Sequence, residues 1–183
     1  MKIRTWMSWE GGVDLVAATR PDLAMPNVVV HLARMVHTPI GSAPAGLVLY
    51  QPDPSAMPLA IGFVSTDQKL AAWFGPNIFA GTPFEAAPAL AAKIHIDVAD
   101  GRASSRLEVM GHVFETVLSQ LAPGELIHRP AGAPMPFAQQ GLEASAGKVE
   151  FQVDGKPVAV IVPKMGIGGG AAAVFSACGV YAR

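Results

Sequence analysis

The sequence has few charged residues, no cluster of basic residues and no long uninterrupted apolar run. Charged residues make up 15% of the 183 residues, whereas an ordinary soluble domain carries about a quarter. Lysine and arginine are scattered and the net charge is −1, so no basic stripe could neutralise a run of phosphates. Proline, glycine or a charge interrupts every apolar run before the roughly 18 residues that a spanning helix needs. We therefore expect neither nucleic acid nor a membrane as a partner.

The sequence contains one cysteine and lacks a secretory signal at its start. Cys178 cannot form an intrachain disulfide, and its apolar neighbours predict a buried small side chain or a reducing compartment. The first residues, MKIRTWMSWEGGVDL, contain no apolar stretch of the kind that a signal peptide requires. These two features together predict a cytoplasmic protein.

The length predicts a single domain spanning residues 1–183, because a chain of this size can bury most of its unfolded surface in one core. Apolar residues make up 51% of the chain. With so few charges available to cover the surface, we expect part of the apolar surface to be hidden by self-association, which predicts a homo-oligomer.

Alternating apolar residues and turn signals predict mostly strands. The segments with this pattern are 27–38, 46–51, 59–65, 93–98, a segment from Arg106 onward, the two arms of 148–162, and 173–181. Asp100-Gly101 and Asp154-Gly155 predict tight hairpin turns. The segment from Arg106 also fits one face of a helix, but Gly111 and the β-branched residues favour a strand.

One short helix is predicted over residues 67–73, with Thr66 as its N-cap and Gly75-Pro76 ending it. The proline-rich segment 123–140 predicts an irregular connection that covers the surface, because proline cannot donate to a strand ladder. The glycines of 166–170 lack the spacing of a phosphate-binding loop and predict a flexible joint.

About eight strands and one short helix predict a mainly β (α+β) fold. We expect a single antiparallel sheet, strongly bent or closed into a barrel, with the helix and the proline-rich segment covering one side.

A candidate pocket wall lies between Phe63 and Ala87. This stretch combines aromatic side chains, an amide and a carboxylate on a loop interrupted by glycine and proline, as ligand-binding loops often do. The side chains in question are Trp73, Phe74, Asn77, Phe79, Phe84 and Glu85.

Two basic segments could add an anion site to this wall. Arg34 interrupts an apolar strand, and a buried guanidinium would need a ligand carboxylate or Glu85 as partner; the alternative is that Arg34 points into solvent. His128 and Arg129 could likewise meet an anionic ligand or only cover the surface.

His31 and His37 would lie about 20 Å apart along one strand, too far to share a metal ion. We read His31 as a core residue and expect no metal and no cofactor.

Three segments resemble the acetoacetate decarboxylase-like superfamily over roughly residues 28–120. They are ARMVHTPIGSAPAGLVLY (33–50), GFVSTDQKLAAWFGPNIFAG (62–81) and AAKIHIDVADGRASSRLEVMGHVFETVL (91–118). Their order is similar to that family's strand with a Thr/Ser-x-x-Gly turn, second strand, short alanine-rich helix, Pro corner and long hairpin. The resemblance implies that family's curled β fold.

The same resemblance implies that the family's chemistry is altered here. Its Schiff-base lysine belongs at the corner after Pro76, where this chain has Asn77 and Ile78. Its turn glutamate belongs near residues 41–46, where this chain has Ser42, Ala43, Pro44 and Ala45. Lys69 and Lys93 are expected to be solvated and do not replace the lysine.

Three functions remain open from the sequence. The first is a β-barrel that binds a small, partly apolar organic or keto acid. The residues expected to bind it are Arg34, Trp73, Phe74, Asn77, Phe79, Phe84, His128 and Arg129. The second is a lyase or hydratase in which Glu85 and His112 act as acid and base, which requires the two side chains to converge. The third is a noncatalytic homo-oligomeric assembly protein without a pocket.

Overall fold

The computed structural model describes residues 4–132 and 135–183. These residues form twelve strands and one helix, so the prediction of a mainly β chain with one short helix is confirmed. The elements are β1 (Trp6–Ala17), β2 (Val28–Thr38), β3 (Gly41–Tyr50), β4 (Ala60–Ser65), α1 (Gln68–Asn77), β5 (Ala89–Ala91), β6 (Lys93–Ala99), β7 (Arg102–Val109), β8 (His112–Leu121), β9 (Glu125–Arg129), β10 (Ala138–Val153), β11 (Lys156–Pro157) and β12 (Ala173–Ala182).

The strands form one strongly curled, open sheet. Ten of them follow the order β5-β4-β3-β2-β1-β12-β10-β8-β7-β6, while β9 and β11 pair with β10 beside this path. Only Ala92 separates β5 from β6, the two edge strands, so the two edges of the sheet meet at this corner. The pairing of β4 with β5 is parallel. The predicted antiparallel sheet is therefore corrected to a mixed one, although the other pairings are antiparallel.

The sheet buries apolar side chains on both of its faces. The inner core draws residues from strands all around the curl, including Leu32, Tyr50 and Phe114. The outer core lies on the opposite face of β1 to β4, where Leu70 and Phe74 of helix α1 and Ile78 directly after it pack over the sheet. Consecutive residues of β2, such as Val29 and Val30, enter different cores, as the two-residue period of a strand requires.

Helix α1 begins and ends differently from its prediction. The N-cap is Asp67 rather than Thr66, because its carboxylate accepts from the backbone N–H groups of Lys69 and Leu70. The helix also continues through Gly75 and Pro76 to Asn77. Proline removes only one donor near the end of the helix, and the next turn still closes through a 2.9 Å bond from Ile78 N to Phe74 O.

Several strand predictions also require correction. The segment from Arg106 onward is not one strand, because β7 starts at Arg102 and a tight turn at Met110-Gly111, both at positive φ, separates it from β8. The proline-rich segment contains a regular ladder, in which β9 pairs with β10. Its prolines lie outside β9 and therefore leave the ladder intact.

The two predicted hairpin turns are present, but one hairpin is shorter than expected. Gly101 and Gly155 both have positive φ, as tight turns require. After the turn at Asp154-Gly155, only Lys156–Pro157 pairs with β10, so residues 158–162 are not the predicted long arm.

β1 pairs with both β2 and β12 in the middle of the sheet, and the strand predictions did not include it. Cys178 is exposed, so of the two alternatives predicted for it the buried side chain is wrong. Within residues 4–132 and 135–183, no helix is long and apolar enough to cross a membrane.

Candidate functional site

A cavity of about 130 Å³ lies between the outer face of the sheet and the segments that cover it. Strands β1, β2, β3, β10 and β12 form its floor, and helix α1 together with the loop after it forms part of the cover. The residues around it are Met7, Trp9, Gly12, Asp14, His31, Leu32, Ala33, Val36, Ala45, Gly46, Leu47, Phe63, Phe74, Phe79, Phe84, Met135, Phe137, Gln139, Ile167, Gly168 and Tyr181.

Aromatic rings form the apolar wall of the cavity. The ring of Phe79 lies 5.1 Å from that of Phe63 and 5.6 Å from that of Phe137, measured between centroids. Phe74 reaches the same cluster from helix α1, with its centroid 5.5 Å from that of Phe63. Tilted and edge-on ring pairs at these separations are favourable arrangements, so the rings stabilise one another around the empty volume.

An acid and a histidine face each other across two strands at the cavity. Asp14 of β1 is directly opposite His31 of β2 in the strand register. The Nδ1 atom of His31 lies 2.8 Å from Oδ1 of Asp14. A carboxylate can only accept, so the neutral imidazole carries its proton on Nδ1 and donates it to Asp14. The Nε2 atom of His31 then keeps a free lone pair.

Tyr181 also borders the cavity, but in the strand register it lies opposite Met7 of β1, seven residues from Asp14. Its ring packs between Phe137, 4.2 Å away, and Trp9, 4.7 Å away, measured between centroids. Burial raises the pKa of Tyr181 well above its ordinary value, and the negative charges of Asp14 and Glu143 raise it further, while Arg129 acts in the opposite direction. A phenol is protonated near neutral pH even without this shift, so Tyr181 carries an O–H that can donate a hydrogen bond.

A polar network lies behind Tyr181. The guanidinium of Arg129 binds both carboxylate oxygens of Glu143, at 2.8 and 2.7 Å. The side-chain amide of Gln139 donates to the same carboxylate at 3.0 Å. The hydrogen bonds that Arg129 donates to Glu143 are the main cause that raises the pKa of Arg129 above its usual value. Gln139 borders the cavity, and its carbonyl oxygen remains available as an acceptor.

Irregular positions in the strands bring these groups to one face. Trp9 and Asp14 are five residues apart, so a regular strand would place their side chains on opposite faces of the sheet. Both border the cavity, and Gly11, which lies between them, has a φ of 64°. The pairing of β10 with β12 shifts register between Leu142 and Glu143. On β12, Gly179 leaves room for the Trp9 ring, because a Cβ there would overlap it.

Three of the residues predicted to bind a ligand border the cavity. They are Phe74, Phe79 and Phe84, all from the segment around helix α1. Trp73 and Asn77 lie near them but do not border the cavity. The side-chain amide of Asn77 donates instead to the backbone carbonyl of Trp73 at 2.8 Å.

The predicted basic ligand-binding residues interact with the protein itself. Arg34 points into solvent, with 57% of its side chain exposed, and lies 3.5 Å from Glu10. Of the two orientations considered for Arg34, the structure thus has the one that points into solvent, and the partner of Arg34 is Glu10 rather than Glu85. His128 lies 3.0 Å from the Gln140 amide, and Arg129 is committed to Glu143. None of the three borders the cavity.

The predicted catalytic pair, Glu85 and His112, have separate partners. Glu85 accepts from the backbone N–H of Gly81 at 2.6 Å. The Nδ1 atom of His112 lies 2.9 Å from Asp154, and this contact is the main cause that lowers the pKa of Asp154. Within the described ranges no hydrogen bond joins Glu85 to His112, so this geometry does not support the lyase or hydratase that uses them.

The polar residues of the cavity were not predicted from the sequence. Asp14, Gln139 and Tyr181 were not singled out, and His31 was read as a core residue. If β1 had been predicted as a strand paired with β2, their antiparallel register would have placed Asp14 opposite His31. Gln139 and Tyr181 pair with each other across β10 and β12.

Residues 4–132 and 135–183 contain no group of three or more His, Cys, Asp or Glu side chains placed to hold a metal ion. Comparison of the chain with protein-family models, curated proteins and solved structures gives no match. The function is therefore argued from the cavity alone.

Proposed function

We propose that this protein binds a small, partly apolar organic molecule carrying a carbonyl or carboxylate group in the cavity over the outer face of the sheet. The observation that carries the proposal is the composition of the cavity lining. Phenylalanine rings form much of it, and the polar side chains of Asp14, His31, Gln139 and Tyr181 also border the cavity. Pockets for small ligands typically combine a mostly apolar lining with a few polar groups that orient the ligand.

The size of the cavity limits the ligand. Its volume of about 130 Å³ is close to that of an engineered apolar cavity, roughly 150 Å³, that accommodates benzene. A branched ketone or keto acid with a similar number of heavy atoms therefore matches the space.

The polar groups favour a ligand that accepts hydrogen bonds. Tyr181 supplies an O–H donor, and a protonated His31 would supply an N–H donor on Nε2. Both can bind a ketone oxygen or a carboxylate oxygen. Arg129 is already held by Glu143, so a carboxylate would depend on His31 for its positive partner. An organic or keto acid thus remains one of the two head groups that we propose, beside a neutral ketone.

We also propose that the fold is acetoacetate decarboxylase-like, with the covalent chemistry of that family absent. A strongly curled sheet, a short helix after β4 and the hairpin of β6 and β7 support this proposal. At the corner, Ile78 is fully buried and Asn77 bonds to the backbone. Lys69 is exposed, Lys93 is 86% exposed, and none of the described lysines borders the cavity.

The ligand proposal can be tested by thermal shift and NMR titration with three matched probes. They are α-ketoisocaproate, methyl isobutyl ketone and isohexane, which share a branched chain but differ in head group. We expect the two carbonyl probes to raise the unfolding midpoint with concentration, since a ligand at a hundredfold excess over its Kd stabilises by about 2.7 kcal/mol. Isohexane is expected to bind more weakly because it leaves Tyr181 and His31 without an acceptor.

A cavity-filling variant provides the control for location. Ala33 borders the cavity and is buried, so Ala33→Leu should weaken binding of both carbonyl probes at least tenfold. Ala99→Leu makes the same change at an exposed position of β6 and should leave binding unchanged. Failure of both carbonyl probes to bind, or equal binding by Ala33→Leu, would contradict the proposal.

Borohydride trapping tests the absence of a Schiff base. We expect acetoacetate or pyruvate with borohydride to add no mass to the intact protein, because Asn77 and Ile78 occupy the corner where the family has its lysine. Intact-protein mass spectrometry followed by peptide mapping measures this. An adduct on Lys69, Lys93 or any other lysine would show that an amine does reach a bound keto acid.

Self-association and a cytoplasmic location remain proposals. Some large apolar side chains are strongly exposed, including Leu126 at 89% and Met57 at 86%. Sedimentation equilibrium would measure the number of subunits directly.

A further inference from the structure

We propose that strand β9 is the contact surface of a symmetric dimer, in which β9 of one chain pairs antiparallel with β9 of a second copy of this chain. The inference rests on the proposed self-association and names the surface that carries it. It does not depend on the cavity or on any ligand. Three features of β9 support it: an open edge, an exposed leucine, and an order of residues that matches its own reversed copy.

Among residues 4–132 and 135–183, β9 pairs with β10 alone, so its far side is an open edge of the sheet. β8 and β9 follow each other along one side of β10, with Leu121 opposite Ala146 and Glu125 opposite Glu143. β7 covers the far side of β8 as far as Leu121, whose N–H donates to the carbonyl oxygen of Gly101 at 3.3 Å. Beyond that point, alternate residues of β9 direct their N–H and C=O groups away from the sheet, where another strand can pair with them.

Leu126 of β9 is the most exposed of the large apolar side chains that the structure describes, at 89%. Natural sheets usually protect an open edge with charged side chains or cover it. β6, an end strand of the sheet, is protected in this way, because Lys93, His95 and Asp97 are exposed at alternate positions. The exposed leucine on β9 instead favours an edge that another strand covers.

The order of residues in β9 matches an antiparallel copy of itself. In a two-fold pairing centred on Ile127, each Glu125 lies opposite the partner's Arg129, and Ile127 lies opposite the partner's Ile127. Leu126 is then diagonal to the partner's Leu126, a separation that long side chains can bridge. Opposite charges and apolar pairs at such positions stabilise antiparallel strands, so β9 is self-complementary.

The charges on β9 and β10 favour the same partner. Glu125 lies opposite Glu143 in the strand register, so two acidic residues are neighbours at this end of β9. Arg129 donates two hydrogen bonds to Glu143, and a guanidinium has further N–H donors for a second carboxylate. In the dimer, the partner's Arg129 brings a positive charge beside Glu125, and the two-fold axis repeats this pair at the other end of the ladder. Closed two-fold dimers are the commonest homo-oligomers.

Sedimentation equilibrium of the full chain over a range of concentrations tests the surface. The ladder is short, since β9 has 5 residues, so we expect a weak dimer whose share rises with concentration. Leu126→Lys should lower the association constant by about tenfold or more, because two ammonium groups would lie diagonal to each other. Leu126→Glu should do the same. An equal mixture of the two variants should regain the dimer, since opposite charges then meet across the axis.

Met57→Lys is the matched control. Met57 is 86% exposed but lies in the loop between β3 and β4, so this variant should associate as the wild-type protein does. Leu126 and Met57 are both exposed in one chain, so the unfolding midpoint of each variant should be unchanged at concentrations where the protein is monomeric. This measurement shows that a loss of dimer is not a loss of fold.

A disulfide trap locates the two-fold axis. Residues directly opposite each other in an antiparallel pair have Cα atoms about 4.5 to 5.5 Å apart, within the range of a disulfide. Cys178 is exposed, so it is first replaced by serine. Ile127→Cys in this Cys178→Ser background should form a covalent dimer under mild oxidation, whereas Met57→Cys in the same background should remain largely monomeric.

The outcomes separate this inference from the self-association on which it rests. A dimer that Leu126→Lys leaves intact would show that self-association uses another surface. A mixture of Leu126→Lys and Leu126→Glu that stays monomeric, or no covalent dimer of Ile127→Cys, would overturn the two-fold pairing through β9. A wild-type protein that is monomeric at every concentration would overturn both self-association and its proposed surface.

Discussion

Replacing Gly46 with alanine is expected to destabilise the protein by about 3 kcal/mol, the upper part of the range for inserting an atom into a closely packed site. Gly46 lies in β3 opposite Leu32 of β2. A Cβ at this position would overlap the backbone carbonyl oxygen of His31 and lie 2.9 Å from Cα of Leu32. Backbone atoms cannot rotate away as a side chain can, so the two strands would have to separate.

Urea unfolding of the variant and of the wild-type protein measures this effect. Gly132→Ala is the control, because a Cβ there has no neighbour within 4 Å, and it should change the unfolding free energy little. The displaced carbonyl belongs to His31, so Gly46→Ala should also weaken binding of methyl isobutyl ketone. A Gly46→Ala variant as stable as Gly132→Ala would show that the approach of β2 and β3 is less close than described.

Strands with a local signal were predicted well from the sequence. β2, β4 and β6 alternate apolar residues between clear boundaries, and their observed bounds differ from the predicted ones by no more than one residue at each end. β1 lacks such a signal because Glu10, Gly11 and Gly12 interrupt it. It is nevertheless a strand, because pairing with β2 and β12 supplies the hydrogen bonds that its own sequence does not predict.

The apolar and polar residues of the cavity differ in the same way. Phe74, Phe79 and Phe84 are close in sequence, and a local pattern of aromatic residues was enough to predict them as part of a pocket. The polar residues that border the cavity include Asp14, Gln139 and Tyr181, which are distant in sequence. Their arrangement depends on the order of strands β1, β12 and β10 and on the change of face near Gly11, neither of which composition or periodicity reveals.

Charged residues gave the least reliable prediction of the site. Arg34 was expected to attract a ligand if it faced inward, yet its partner is the exposed Glu10. Arg129 does lie in a partly buried polar network, but its charge is balanced by Glu143. A sequence shows where an arginine interrupts an apolar strand, whereas the carboxylate that neutralises it is found only when distant strands are aligned.

The ion pair between Arg129 and Glu143 leads to the second large expected effect. Only 24% of the Arg129 side chain and 12% of the Glu143 side chain are exposed, so removal of either partner leaves a poorly solvated charge. Glu143→Gln is expected to lower the free energy of unfolding by about 3 kcal/mol, the lower end for breaking a buried pair. The change keeps the size of the Glu143 side chain and removes only its charge. The packing of the Arg129 guanidinium against Gly170, where a Cβ would overlap it, should therefore persist.

A double-mutant cycle separates the pair from its surroundings. Arg129→Met should be destabilising alone, because it leaves the Glu143 carboxylate unpaired, and the double variant Arg129→Met with Glu143→Gln should cost less than the sum of the single changes. Lys148→Met and Glu150→Gln provide the comparison, since that pair is as short, 2.6 Å, but its side chains are 57% and 49% exposed. An exposed pair contributes little because water already solvates both charges. Equal coupling energies in the two cycles would therefore contradict the expectation that burial makes the Arg129–Glu143 pair the stronger one.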